Sequence, residues 1–186
     1  MRAAFKDWAI VVDALGRGEQ IIILRKGGIA EGKGGFQLEH EKFLLFPTRY
    51  HQQNEKVTAE AAARWTEIEA AFPPEDTLRI ELCAEVVEYR EVTSLDQARK
   101  LQGQHIWKEE VIEDRFEWGR EQKIFAIALR IARLPQPVEL PMLEEYGGCK
   151  SWIEVTSDVA TEDAEPVLRN EEFETKLNAF RSTLAT

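Results

Sequence analysis

The sequence predicts an α+β fold: a mostly antiparallel, curved sheet or open β-barrel with several flanking helices and a C-terminal helix. Three observations carry this. Strand-patterned segments outnumber helical ones. Turn signals separate most successive strands, where a doubly wound parallel sheet would need crossover helices. Leu78–Val86 and Lys123–Leu134 also alternate strictly from one face to the other, as strands do.

The elements follow in chain order. Trp8–Val12 reads as a buried strand, Gly16-Arg17-Gly18 as a turn and Gln20–Leu24 as a second strand, so the two form a hairpin. Seven of the eleven glycines lie between Gly16 and Gly35, and Gly27–Gly35 reads as a glycine loop. Phe36–Phe46 reads as a strand bent near Glu39–Lys42 and closed by Pro47. Thr58 is a suitable N-cap for a helix bearing Ala61, Trp65, Ile68 and Phe72 on one stripe, stopped by Pro73-Pro74. Leu78–Val86 is the first alternating strand, and the slip at Val86-Val87 predicts a bulge. Ser94-Leu-Asp-Gln97 has capping-box spacing and opens a short helix to about Leu101. Trp107, Val111, Asp114 and Trp118 have helical spacing, ended by Gly119.

Along Lys123–Leu134, Phe125, Ile127, Leu129 and Ile131 share one face. Alanines around Arg130 make up the other, so a helix or a ligand approaches closely there. Pro135-Gln-Pro137 is expected to turn the chain before a short edge segment, Val138–Leu140. Tyr146-Gly-Gly148 is a turn before a last strand, Cys149–Val155. The organisation expected is a single α+β domain over residues 1–155, an acidic linker over 156–168, and an amphipathic helix over 169–186 with Phe173, Leu177, Phe180 and Leu184 on its stripe.

The chain has 186 residues, with 24 Lys and Arg against 34 Asp and Glu, for a net charge of −10. Most of the acidic excess follows residue 60, so the first third is close to neutral and locally cationic. A broadly basic nucleic-acid binder is excluded, but a local basic face is not. No apolar run spans a bilayer, and Asp7 and Asp13 interrupt the place of a signal peptide. Cys83 and Cys149 lack metal or redox spacing and fit a reduced cytoplasm.

Gly27–Gly34 approaches the phosphate-loop pattern GxxxxGK[ST]. Gly34, however, stands where a hydroxyl is needed, and strand-like Phe-Gln-Leu follows Gly35, so no helix N-terminus would face a phosphate. Glu39, His40, Glu41 and Lys42 bring together carboxylates, an imidazole and a cation. A divalent-metal nuclease using Mg²⁺ would need those groups to fix the metal and stabilise hydroxide. Their spacing matches no established ligand pattern, and the plainer reading is a polar strand end. Under the remaining readings no cofactor is expected.

Several segments together resemble a known family. They are Phe5-Lys-Asp-Trp8-Ala, Leu24-Arg-Lys-Gly-Gly-Ile29, Phe36-x-x-Glu39-His40, Phe43-Leu-Leu-Phe-Pro47-Thr and His51-Gln52. The likeness is to bacterial domain-of-unknown-function family 1802, over roughly residues 1–155. That family has no settled activity. The association of relatives with Mrr-type restriction endonuclease domains implies a restriction–modification or defence setting, with a restriction endonuclease subunit as one expected partner. The later strands, ending in Ile127-Ala-Leu-Arg-Ile-Ala-Arg-Leu-Pro-Gln-Pro-Val, are similar in rhythm to PUA-like barrels of the EVE and ASCH type. This resemblance implies RNA or modified-base recognition in an aromatic-lined pocket.

The function expected is therefore a binding module for DNA or RNA. Arg25, Lys26 and Arg49 are the expected phosphate contacts, with Tyr50 or Trp152 stacking on a base and Lys33 on the same face. His51, Gln52, Arg130 and Lys150 complete the candidate face. The alternatives are the nuclease of Glu39–Lys42, or a non-catalytic interaction module using the last helix.

Overall fold

The structure, a computed structural model, describes residues 1–26, 38–49, 53–119 and 121–185. The strands are β1 (Ala3–Trp8), β2 (Ile22–Arg25), β3 (Lys42–Thr48), β4 (Thr77–Val92), β5 (Ile124–Pro141), β6 (Trp152–Glu154) and β7 (Glu165–Pro166). They form one sheet in the order β2-β5-β4-β3-β1-β6, with β7 added to β5. The β1/β3 pair is parallel and the other pairings are antiparallel. The fold is the expected α+β class with a mostly antiparallel sheet. The helices are α1 (Ala9–Gly16), α2 (Ala59–Ala62), α3 (Trp65–Ala70), α4 (Leu95–Lys100), α5 (Glu109–Glu117) and α6 (Asn170–Leu184).

The long β4/β5 pair curls the sheet. Its register shifts between Val86 and Glu88, where the sequence alternation slips, and again between Ile80 and Leu82. The second shift corrects one expectation. Pro135 and Pro137 do not turn the chain; β5 runs on, and these residues sit in an irregularity between the Leu82/Arg133 and Ile80/Val138 pairs. A bulge accommodates residues that have no N–H to give to a ladder.

The expected hairpin of Trp8–Val12 with Gln20–Leu24 is also corrected. The first strand lies earlier, over Ala3–Trp8, and Ala9–Gly16 is helical. Every α1 residue except Asp13 is buried. A short segment apolar on all sides has no periodicity to separate buried helix from buried strand, and Ile10-Val-Val12 tips propensity toward the wrong one. β2 is a strand as expected, but its partner is β5.

Pro47 lies inside β3, opposite Asp7 of β1. β4 pairs only with Lys42–Leu44, so no ladder bond on that side needs a donor from Pro47. Thr58 caps α2 through its Oγ1, which accepts from the Ala61 N–H at 3.4 Å, but a turn at Ala63-Arg64 splits the expected single helix in two. Ser94 precedes α4 without a side-chain cap bond. Trp107 lies ahead of α5, buried and bridged to Val57, while Trp118 is 55% exposed at its end, so the two share no stripe.

The core has two parts because β1 and β3 are buried on both faces. Phe5, Phe43 and Leu45 point into the larger cluster with α1, β5 and α6; Ala4, Leu44 and Phe46 point into the smaller with Leu78, Ile80 and Tyr146. Residues 156–168 include buried Val159 and enter β7, which pairs with β5. The α6 stripe of Phe173, Leu177 and Phe180 is buried in the larger cluster. Phe173 lies under the Arg130 guanidinium at 4.5 Å, so the close approach expected over the alanine face of β5 is that of a helix.

Candidate functional site

A cleft of about 490 Å³ opens where the C-terminal ends of β1, β2 and β3 meet α5 and the loop 148–151. Its lining holds six cations, Lys6, Arg25, Lys26, Arg49, Arg115 and Lys150, and one carboxylate, Asp7. That balance inverts the overall charge of −10. The parallel pairing of β1 and β3 places Lys6-Asp7-Trp8 beside Pro47-Thr48 and brings both strands out at the cleft.

The way these cations are held defines the site. Lys6 Nζ donates to the carbonyls of Tyr146 (2.6 Å) and Gly148 (2.8 Å), and burial lowers its pKa from the usual lysine range. Gly148 has φ +78°, a left-handed turn that glycine adopts freely. Lys26 Nζ donates to the carbonyls of Phe116 (2.7 Å), Glu121 (2.5 Å) and Lys123 (2.9 Å), joining the end of β2 to the chain after α5. Arg49 donates to the carbonyls of Pro73 and Pro74, with its guanidinium over the Phe72 ring at 4.9 Å. Lys150 is exposed at the rim, 3.4 Å from the Glu145 carbonyl. Arg25 donates to Ser151 Oγ at 2.6 Å, lies over Phe5 and is 3.8 Å from buried Asp7. Five of the six are thus held by neutral carbonyl oxygens, the fifth being Arg115, which donates to the Leu24 carbonyl at 3.3 Å.

Arg115 is half-buried in the cleft wall. Its guanidinium stacks on Trp107 at 3.8 Å. Desolvation lowers its pKa to about 10, with Arg25 adding to the shift and Asp7 opposing it. It remains a cation at neutral pH. Trp107 in turn meets Trp8 edge to face at 4.8 Å, and Trp8 lines the cleft. Behind them His105 is buried. Its Nδ1 accepts the Trp107 N–H at 3.2 Å, its Nε2 has no partner, and burial together with nearby Arg115 lowers its pKa to about 4.

Of the residues singled out in the sequence, Arg25, Lys26, Arg49 and Lys150 come together in this cleft. Trp152 lies beside it in an aromatic cluster, 4.8 Å from Phe5, 5.0 Å from Phe43 and 5.2 Å from His40. Arg130 is elsewhere, bonded to Asn170 Oδ1 at 2.7 Å beneath α6. Lys33, Tyr50, His51 and Gln52 lie outside the described residues, as does the Gly27–Gly35 loop.

Glu39, His40, Glu41 and Lys42 lie just before and at the start of β3. Glu39 and Glu41 are exposed, His40 packs on Trp152, and Lys42 pairs with Glu85 at 3.3 Å. Among the described residues no three His, Cys, Asp or Glu side chains are grouped to hold a metal. Sequence reasoning missed Lys6, Asp7, Trp8, Arg115 and Ser151. The one available signal was the charged pair Lys6-Asp7 inside an otherwise apolar strand.

No curated protein matches the chain. Among solved structures it is similar to the ASCH protein of Zymomonas mobilis, with a TM-score of 0.48 and 15% identity over 95% of this chain and 93% of that one. It is also similar to a point mutant of that protein, with a TM-score of 0.46 and 14% identity over 95% and 96%. A family model described only as a domain of unknown function matches residues 4–179, which takes in β7 and most of α6 beyond the 1–155 span of the sequence resemblance. The chain belongs to that family, DUF1802.

Proposed function

We propose that this chain is a nucleic-acid-binding module and that the cationic cleft is its contact surface. The observation that carries this reading is the way the cations are held. A cation hydrogen-bonded to a carbonyl is positioned but keeps its charge, whereas one paired with a carboxylate is largely neutralised. Lys6, Lys26, Arg49, Arg115 and Lys150 all have carbonyl partners, so the cleft presents fixed positive charge to an anion. Its volume lies within the range of about 300–1,000 Å³ of small-ligand sites, enough for one nucleotide unit. Trp8 offers an aromatic wall beside the charges, the combination that holds a phosphate and stacks a base. The acidic remainder of the surface repels a polyanion and so directs it to this cleft.

His40 packs on Trp152 and Lys42 pairs with Glu85, which favours binding over the metal-dependent nuclease. The defence setting implied by the family resemblance adds a finer proposal, that the preferred ligand carries a modified base.

Equilibrium titration of short single- and double-stranded DNA and RNA, with and without methylated or hydroxymethylated cytosine, tests both levels. Binding is expected to weaken between about 50 and about 200 mM salt, with log K falling by about 0.7 per log salt for each single-strand phosphate neutralised. Lys150→Glu, at the exposed rim, is expected to weaken binding about tenfold. Salt-independent binding, or none to any of these ligands, overturns the reading.

A further inference from the structure

The cleft is not isolated. A second cavity of about 320 Å³ lies between α1, α3 and the sheet, with a floor of Val12, Leu45, Leu78 and Leu82 and with Ile68 and Phe72 on one wall. A shallower depression joins the two. It shares Lys6, Thr48 and Arg49 with the cleft, and Pro47, Arg49 and Met142 with the apolar cavity. One surface track therefore runs along the end of β3, and Arg49 borders all three parts of it.

Charge changes along this track. At the apolar cavity three of the four arginines meet carboxylates: Arg17 pairs with Asp13 (3.0 Å), Arg79 with Glu139 (2.9 Å) and Arg133 with Glu81 (3.4 Å). Glu75 and Glu144 line the joining depression opposite Lys6 and Arg49. Phosphate is thus favoured at the cleft and not beyond it, while an uncharged flat group is favoured in the apolar cavity. Neighbouring nucleotides of a single strand supply that sequence of groups. In a duplex, base stacking and pairing would hold the second base out of the cavity.

We infer that the ligand is single-stranded nucleic acid, anchored by one nucleotide in the cationic cleft and placing the base of an adjacent nucleotide in the apolar cavity between α1 and α3, across Arg49. This rests on the proposed binding at the cleft and extends it to a second subsite. Arg49 positions the strand, because its bonds to the Pro73 and Pro74 carbonyls fix the wall that separates the subsites.

The test compares a mononucleotide, di- and trinucleotides of DNA and of RNA, the same trinucleotides with an abasic unit on either side of the central one, and a matched duplex. The expected result is a gain of about tenfold or more from one nucleotide to two or three, the stacking contribution of one base. That gain should disappear with an abasic neighbour on one side only, and the duplex should bind no better than the mononucleotide. Ala71→Trp, an exposed position lining the apolar cavity away from the cleft, should remove the gain and leave mononucleotide affinity unchanged. Should that variant fold poorly, the abasic series decides the matter on the unaltered protein. Mononucleotide binding with no gain from length, or a gain indifferent to abasic units, overturns the second subsite and leaves the cleft standing. No binding of any of these ligands overturns the cleft itself.

Discussion

The cationic cleft and the apolar cavity share Arg49 and lie side by side at the end of β3, yet they balance the charge of their basic residues differently. Around the apolar cavity Arg17, Arg79 and Arg133 each face a carboxylate. In the cleft, Lys6, Lys26, Arg49 and Arg115 are held by carbonyls, and Arg115 is half-buried against an indole. Exposed ion pairs contribute little stability but cost little. Burying a cation among other cations is unfavourable to folding. The first region is therefore a neutral surface with charged residues on it, and the second keeps a charge concentration that the fold alone does not need.

The largest effect that sharpens this contrast is in the aromatic supports. Trp107 is fully buried beneath Arg115 and Trp8, so Trp107→Ala should lower unfolding stability by about 3–5 kcal/mol. Phe72 plays the corresponding part under Arg49 but is half-buried, and Phe72→Ala should cost only about 1 kcal/mol. Denaturant midpoints for the two variants compare the supports directly. Equal losses would mean that the cleft is no more deeply built into the core than the cavity.

Next is pH. His105 is held neutral, with a pKa of about 4 against 6.5 in the unfolded chain, first by burial and then by Arg115. Above pH 6.5 neither state takes a proton at this residue. As the pH falls toward 4 only the unfolded state gains one, so stability should drop by roughly 3 kcal/mol across that window and the loss should level off below it. His105→Gln keeps an acceptor for the Trp107 N–H and should flatten this part of the profile. An unchanged slope in the variant would place the acid sensitivity elsewhere.

Much of the architecture is legible from sequence. The strand at β4, its bulge at Val86, the stop at Gly119 and the apolar stripe of α6 all follow from periodicity or turn chemistry, and each is present, although β4 sends Leu78 and Ile80 to one core cluster and Leu82 and Ala84 to the other. Ala9–Gly16 was opaque because burial on every side leaves no period to read. The cleft was half legible. Arg25, Lys26 and Arg49 stand out as cations in a neutral third of the chain. Lys150 is legible beside the Gly147-Gly148 turn, whereas Lys6 and Arg115 join them only through the parallel β1/β3 pairing and the packing of α5, neither of which is marked in the local sequence. Nor does any sequence pattern separate a cation that meets a carbonyl from one that meets a carboxylate.

Arg115→Met separates the needs of folding from those of binding. The methionine fills apolar space over Trp107 and removes a poorly solvated charge, but it also takes a donor from the Leu24 carbonyl and a counter-charge from Asp7, so the terms offset and stability should change little. Nucleic-acid affinity should fall about tenfold or more, as expected when a fixed, poorly solvated cation is removed from an anion site. A variant that loses stability while keeping its affinity would make Arg115 a structural residue and would turn the contrast between the two regions around.

The smallest effects on stability make the finest test, because they compare a surface cation that has no carboxylate partner among the described residues with one that has such a partner. Lys150 is exposed at the cleft rim, near a carbonyl; Arg79 is partly exposed beside the apolar cavity, in an ion pair with Glu139. Neither Lys150→Gln nor Arg79→Gln should change stability by more than about 1 kcal/mol, since both act at the solvent boundary. Their effects on binding should diverge. A lysine that neutralises a phosphate carries one released counterion, so Lys150→Gln should reduce the single-strand salt slope by about 0.7. An arginine already neutralised by Glu139 releases none, so Arg79→Gln should leave the slope where it was. If both substitutions shift it equally, the protein attracts its ligand through diffuse charge, and the carbonyl-held cations of the cleft have no special part in binding.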